Sequence, residues 1–311
     1  MIARIQQGHR TIAFPDTIPA LPERFRGRPQ IDSSRCLEGC RRCAESCPTD
    51  AITIESTRTF SVRPLSEKML HRKRSAGPVL DLGKCLFCPE CQNACPEGAI
   101  CYTQDYRLAT RTREALVLRD QTLALAEALD EEARRLFGRS LRLRQVSAGG
   151  CNACEADVNV LNTIVFDLGR WGVQFVASPR HADGLLITGP VTQNMKVALQ
   201  KTYEAVPPPK LVIAVGACAI SGGPYVHHPE VSNGANSVVP VDLYIPGCPP
   251  HPLTVVDGLV RLLGKLTPEE LLRYDEQVRE HCNIGKGGNG NVCDASPSPT
   301  RKAAPARPRR P

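Results

Sequence analysis

Cys85-Leu86-Phe87-Cys88-Pro89-Glu90-Cys91-Gln92-Asn93-Ala94-Cys95-Pro96 sets four cysteines in the order C-x2-C-x2-C-x3-C-P. That spacing wraps a short loop around a cubane [4Fe–4S] cluster. The closing proline turns the chain away and removes an N–H that would otherwise need a partner. A second run lies upstream, at Cys36, Cys40, Cys43 and Cys47-Pro48. It carries three residues between its first two cysteines; Gly39 is expected to absorb the extra one as a local bulge, the alternative being a modified or missing first cluster. Each run leads into a small apolar, strand-like stretch, 51–54 and 99–102. Thiolate clusters accept and pass single electrons, so the two runs point to electron transfer. A structural zinc site needs CxxC knuckles separated by a longer loop, which runs this compact do not provide.

Outward from these runs, residues 1–30 bear Pro and Arg without periodicity and read as an extended lead-in that packs across a neighbour. The two-cluster domain is expected over 31–110, with a polar, basic excursion at 56–77 between the runs. Residues 111–139 are rich in Leu, Ala, Glu and Arg, a composition that predicts a helical connector. Over 140–270 short β-branched runs alternate with helical stretches, the rhythm of a parallel α/β sheet. Residues 282–311 are rich in Gly, Pro and Ser and are expected to form a disordered basic tail.

In the α/β stretch four more thiols follow predicted strands. Cys151 and Cys154 come after 141–146 and Gly149-Gly150, Cys218 after 211–215, and Cys248 after 241–245. In a parallel sheet those carboxyl ends lie along one edge, where ligands bind. Three loops can then converge on one cubane, with glycines at 149, 150, 216 and 247 allowing close backbone approach. Taken singly, Cys218 and Cys248 would read as buried small hydrophobes. Glu155, directly after Cys154, is a candidate proton relay; the alternative is an acid that complements a helix dipole. Arg180 and His181 are candidates for tuning potential or proton coupling, with a plain structural loop as the alternative. Cys101 reads as a core residue, and Cys282 and Cys293 lie in or beside the tail.

The whole chain has 311 residues, enough for two compact domains, with 41% apolar and 23% charged residues and a net charge of +7. Arg301, Lys302, Arg307, Arg309 and Arg310 supply most of that charge from the tail, so no nucleic-acid partner is expected. The N-terminal segment lacks an apolar signal core, so a reducing compartment is expected, where fifteen cysteines mean metal or redox chemistry. No apolar run is long enough to span a membrane. Neither G-x-G-x-x-G after a strand nor G-x4-G-K-[ST] is present, which argues against nicotinamide, flavin or nucleotide binding.

The paired Cys-Pro runs resemble the two-cluster bacterial ferredoxin, in which the fourth cysteine of each run crosses to the other cluster. That resemblance assigns Cys36, Cys40, Cys43 and Cys95 to one cubane and Cys85, Cys88, Cys91 and Cys47 to the other. GGCNACEADV, SPRHADGLLITGPVT, PKLVIAVGACAISGG and VDLYIPGCPPHP resemble the small subunit of membrane-bound, formate hydrogenlyase-type [NiFe] hydrogenases. That family is similar to the cluster-N2 subunit of respiratory complex I. The C-x2-C opening is hydrogenase-like, whereas the complex I homologue has two adjacent cysteines; Ala153 departs from the glycine common in the hydrogenase branch.

The resemblance implies a ferredoxin-like α+β domain fused to a flavodoxin-like parallel α/β domain. It implies three [4Fe–4S] clusters, the last (proximal) on Cys151, Cys154, Cys218 and Cys248. The expected partners are a [NiFe] hydrogenase-type or complex I-like large subunit, membrane subunits, and an external donor such as formate dehydrogenase or ferredoxin. The expected location is cytoplasmic, peripheral on the inner face of the cell membrane. Delivery to a quinone in a complex I-like branch, and a cluster-stabilised scaffold or sensor, stay open as alternatives.

Overall fold

The computed structural model describes residues 10–37, 39–54, 77–119 and 123–281. Most of the basic excursion, the expected tail, Cys282 and Cys293 lie outside them. The first half is built as two similar strand–loop–helix–strand units. One runs β1 (Pro29–Ile31), helix α1 (Arg42–Glu45) and β2 (Ile52–Ile54); the other runs β3 (Pro78–Asp81), helix α2 (Glu90–Ala94) and β4 (Ile100–Tyr102). The strands pair across the units, antiparallel: Pro29 opposite Tyr102 and Ile31 opposite Ile100, Pro78 opposite Ile54 and Leu80 opposite Ile52. The doubling extends to the backbone bonds that follow. Asp32 N–H donates to Ala99 O and Asp81 N–H to Ala51 O, each at 2.8 Å. Alternation along strands this short turns Ile52, Leu80 and Ile100 inward, where they are fully buried.

Residues 111–139 are not the expected helical connector. A 3-10 turn (Glu114–Leu116) leads into β5 (Val117–Leu118), which pairs antiparallel with β3, and among the described residues of this stretch the one α-helix is α3 (Glu131–Phe137). The residues between β5 and α3 that are described, 123–130, carry no helix or strand. Non-local partners explain the difference. Leu116 and Leu118 bury against the ferredoxin core, while Ala126 and Leu129 bury in the core of the second half. Ala126 N–H bonds Ala109 O and Leu129 N–H bonds Leu262 O, at 2.7 and 2.9 Å. A continuous helix could not serve both cores, so tertiary pairing overrides propensity. Helix α3 starts where Asp130 accepts a 2.8 Å bond from the Ala133 N–H.

The second half is a five-stranded, fully parallel sheet: β6 (Leu141–Ser147), β7 (Val173–Phe175), β8 (Gly184–Thr188), β9 (Leu211–Val215) and β10 (Leu243–Ile245). The strand order is β10-β9-β8-β6-β7. That is the flavodoxin-like order, with its switch point between β6 and β8. Every residue of β8, β9 and β10 is buried, as strands covered on both faces must be. Helices α4 (Ala153–Val160), α5 (Gln193–Ala205), α6 (Ala217–Ser221) and α7 (Pro252–Leu262) supply that cover, and α8 (Pro268–His281) packs Tyr274 and Val278 into the core well past residue 270.

The two halves are locked together. The lead-in crosses the second half: Ile12 N–H bonds Val165 O at 2.9 Å, and Phe14 is buried edge-on between Trp171 and Tyr274. The buried Arg107 guanidinium donates to both Asp105 oxygens (2.8 and 2.9 Å) and to Asp275 (2.7 Å). Arg261 pairs with Asp257 at 3.0 Å and also with Asp275. Above this network the Tyr274 hydroxyl donates to Tyr106 at 2.6 Å. Thr110 and Tyr244 exchange backbone bonds, so the segment after β4 continues the large sheet at its β10 edge.

Candidate iron-sulfur centres

The turn into the second run is fixed before its first thiol. Asp81, ending β3, accepts from Gly83 N–H at 2.9 Å and is gripped by both Arg113 terminal nitrogens at 2.8 and 2.6 Å. Phe87 takes a left-handed φ of 54°, and its N–H reaches back to Cys85 Sγ at 3.3 Å. Cys91 lies on α2, and Cys95 caps it. In the first run Gly39 takes a similar left-handed φ of 75°, directly before the second cysteine as Phe87 is. The extra residue therefore falls between Cys36 and Gly39, ahead of that turn. Both runs close alike: Ala51 N–H donates to Cys47 Sγ and Ala99 N–H to Cys95 Sγ, each at 3.2 Å.

The thiols group by their influence on one another. Burial, opposed by the Ala44 N–H, pushes the Cys43 thiol up to about 11, with Cys36, Cys91 and Cys95 adding to it. Burial raises Cys36, and Cys95 and Cys40 raise it further. Cys85 is pushed up to about 12 by burial, against donors from Phe87 and Tyr102, with Cys91 and Cys47 adding. Burial raises Cys91, where Tyr102 opposes and Cys88 and Cys47 add. Cys95 thus neighbours the first run and Cys47 the second.

The third group forms at the sheet's carboxyl edge. Cys151 follows β6, Cys154 lies on α4, Cys218 on α6 after β9, and Cys248 after β10. Cys154 is raised first by burial and then by Cys218, Glu155, Cys248 and Cys151. Cys218 is pushed up to about 12 by burial, Cys248 and Cys151. Cys248 is raised by burial, by Cys151 and by Cys88 of the ferredoxin half. Cys151 and Cys248 are exposed, so this edge opens outward. The backbone here tolerates no side chain: a Cβ at Gly216 (φ 90°) would stand 2.6 Å from Cys154 Sγ, and one at Gly223 2.7 Å from Cys218 Sγ.

Glu155 sits at the switch point. It accepts from Ser147 Oγ at 2.6 Å and Thr188 Oγ1 at 2.7 Å, the last residues of β6 and β8, which face each other across the sheet. Burial alone would raise its carboxyl, but the two hydroxyls hold it below the usual value. That geometry ties the Cys151–Cys154 loop to the sheet. Arg180 and His181 stand exposed on the short turn Pro179–His181, and Cys101 is a buried β4 residue opposite Gln30. Sequence reasoning missed Ser147 and Thr188, which gain meaning only through strand pairing. It also missed Tyr102, which a comparison of the two runs could have singled out.

Among the described residues, no three His, Cys, Asp or Glu side chains stand close enough to hold a single metal ion. Backbone N–H groups donate to the sulfurs of Cys47, Cys85 and Cys95, and glycines stand beside Cys154 and Cys218 where a Cβ would intrude. This donor set fits cysteine-held iron–sulfur clusters. Fold and thiols together define an iron–sulfur electron-transfer protein.

Comparison with known proteins agrees. Residues 35–99 match the 4Fe-4S dicluster domain, and residues 151–262 match the 20 kDa subunit of NADH ubiquinone oxidoreductase. The chain is 41% identical over 132 residues to a probable membrane-bound hydrogenase subunit of Pyrococcus furiosus, covering 42% of this chain and 79% of that protein. It is 43% identical over 146 residues to formate hydrogenlyase subunit 7 of Escherichia coli, covering 46% of this chain and 57% of that protein. A chain in the solved archaeal membrane-bound sulfane sulfur reductase shares 31% identity over 51% of this chain and 93% of its own, with a TM-score of 0.39. The chain belongs to the family of the NADH ubiquinone oxidoreductase 20 kDa subunit, with a 4Fe–4S dicluster domain joined ahead of it.

Proposed function

We propose that this chain carries electrons along three cluster sites within one polypeptide, to or from the large subunit of a membrane-bound [NiFe] hydrogenase. The first site is Cys36, Cys40, Cys43 and Cys95. The second is Cys85, Cys88, Cys91 and Cys47, and the third, proximal site is Cys151, Cys154, Cys218 and Cys248. A [4Fe–4S] cluster, when bound, supplies single-electron storage at a potential set by its surroundings. The chain's own residues hold these sites in place, with Cys85 and Cys91 buried and Cys151 and Cys248 left exposed.

The observation that carries this reading is the 2.9 Å bond from Ser221 Oγ to Gly83 O, which supports a second site beside the third by tying the Cys218 helix to the turn ahead of Cys85; Cys88 also acts on Cys248. A first site beside the second is supported by Thr49 Oγ1, two residues past Cys47, donating to Lys84 O ahead of Cys85 at 2.8 Å, with Cys91 acting on Cys43. These contacts favour the order first, second, third, ending at the edge where Cys151 and Cys248 are exposed. A large subunit covering that edge would complete the path. No helix among the described residues is long and apolar enough to cross a membrane, so attachment to the cytoplasmic face would run through membrane subunits. The opposite end would meet an external donor such as a formate dehydrogenase or a ferredoxin. Glu155, held by two hydroxyls, serves here chiefly as the anchor of the Cys151–Cys154 loop, with proton relay as a secondary role.

Anaerobic reconstitution tests the assignment: about twelve irons per chain and three reducible signals are expected. A second reading, delivery to a quinone in a complex I-like assembly, is favoured by the family description of residues 151–262. Assay of the purified complex separates them: hydrogen evolution or uptake supports the hydrogenase reading, and quinone reduction without hydrogen turnover overturns it.

A further inference from the structure

We propose that the Tyr102 hydroxyl donates a hydrogen bond to the ligating sulfurs of the second site, chiefly Cys91, and so sets that cluster at a higher potential than the first. The inference rests on the ligand sets proposed above. Tyr102 ends β4, with its hydroxyl 3.6 Å from Cys91 Sγ and 3.8 Å from Cys85 Sγ. A metal-bound thiolate carries no proton, so ligation fixes the tyrosine as the donor. Its ring is held 6.3 Å, centroid to centroid, from Phe87, within the same ligand loop. Reduction adds negative charge to a cluster, and a hydrogen bond to its sulfurs stabilises that charge and raises the potential. Low local dielectric strengthens the bond.

The internal doubling makes this a difference between the two sites. Tyr102 follows Cys95 at the same distance along the chain as Ile54 follows Cys47. Tyr102 pairs with Pro29 and Ile54 with Pro78. The neighbouring N–H···S bonds from Ala51 and Ala99 are equal at 3.2 Å. At these equivalent positions one unit has an O–H donor and the other a hydrocarbon. An electron arriving at the first site would then run downhill to the second, the one beside Cys248.

The test is an EPR-monitored redox titration of the full chain, reconstituted anaerobically to equal iron content. It compares wild type, Tyr102→Phe and Tyr102→3-fluorotyrosine, whose more acidic hydroxyl is a stronger donor of nearly the same shape. One of three midpoints is expected to fall in the Phe variant and rise in the fluorotyrosine variant, while the other two hold. A packing role alone would not produce opposite shifts. Equal iron with all three midpoints unmoved in both variants overturns the proposal. If Cys85→Ser removes no cluster, it is instead the underlying ligand assignment that fails, and the tuning falls with it.

Discussion

Ser221 donates its hydroxyl to the carbonyl of Gly83 at 2.9 Å, tying the helix that carries Cys218 to the turn that leads into Cys85. The two residues are 138 apart in sequence, and Ser221 is buried. One neutral bond therefore helps set the separation of the second and third sites. Ser221→Ala leaves the buried carbonyl short of a donor and should lower unfolding stability by about 1–2 kcal/mol, measured by denaturant titration. Iron content should be unchanged, because no ligand is touched.

The proposed crossed ligation predicts an effect at a distance in sequence. Cys95→Ser should remove the cluster held by Cys36, Cys40 and Cys43, and Cys47→Ser the one held by Cys85, Cys88 and Cys91. EPR of each reconstituted variant identifies the lost signal. Loss of the cluster built on the mutated run itself would contradict the assignment.

Gly216 and Gly39 separate crowding from backbone strain. Both have left-handed φ, 90° and 75°, but a Cβ at Gly39 would meet nothing within 4 Å, whereas one at Gly216 would press on Cys154 Sγ. Gly39→Ala should cost only about 1–2 kcal/mol of conformational strain with full iron loading. Gly216→Ala should displace a ligand and lose about four irons, the content of one cubane.

How much of this was legible in the chain depends on how local each signal is. The cysteine spacings and the run Leu211–Val215 could be read directly, since a ligand loop and a doubly covered strand each write their own pattern. Residues 111–139 could not. Leu116 and Leu118 have good helical neighbours, yet they answer to β3 and the ferredoxin core, which composition does not reveal. Glu155 was visible beside Cys154, but its partners Ser147 and Thr188 become neighbours only once β6 and β8 pair. Buried Asp105, Arg107, Asp257 and Arg261 carry no local pattern that singles them out; they meet only where the segment after β4 packs against α7 and α8.

That charge network predicts a pH dependence. Burial would raise the Asp275 carboxyl, but bonds and charge from Arg261 and Arg107 outweigh it and hold the group below its ordinary value. A carboxyl with a depressed folded value contributes stability above its unfolded value, near 3.9, and loses it as pH falls through the folded one. Below about pH 4 the wild-type chain should therefore lose stability through this group. Asp275→Asn should remove that part of the slope and cost roughly 3 kcal/mol at neutral pH by leaving two guanidinium groups underpaired. Denaturant midpoints of both proteins across pH, followed by circular dichroism, give the comparison.

The central claim is a linear order of three sites, with the second between the other two. EPR of the fully reduced, fully loaded chain tests it most directly, through the magnetic coupling between neighbouring clusters. The predicted spectrum shows the second cluster coupled to both others, and Cys85→Ser, which removes that cluster, leaves two uncoupled signals. Direct coupling between the first and third clusters that survives Cys85→Ser would contradict the order.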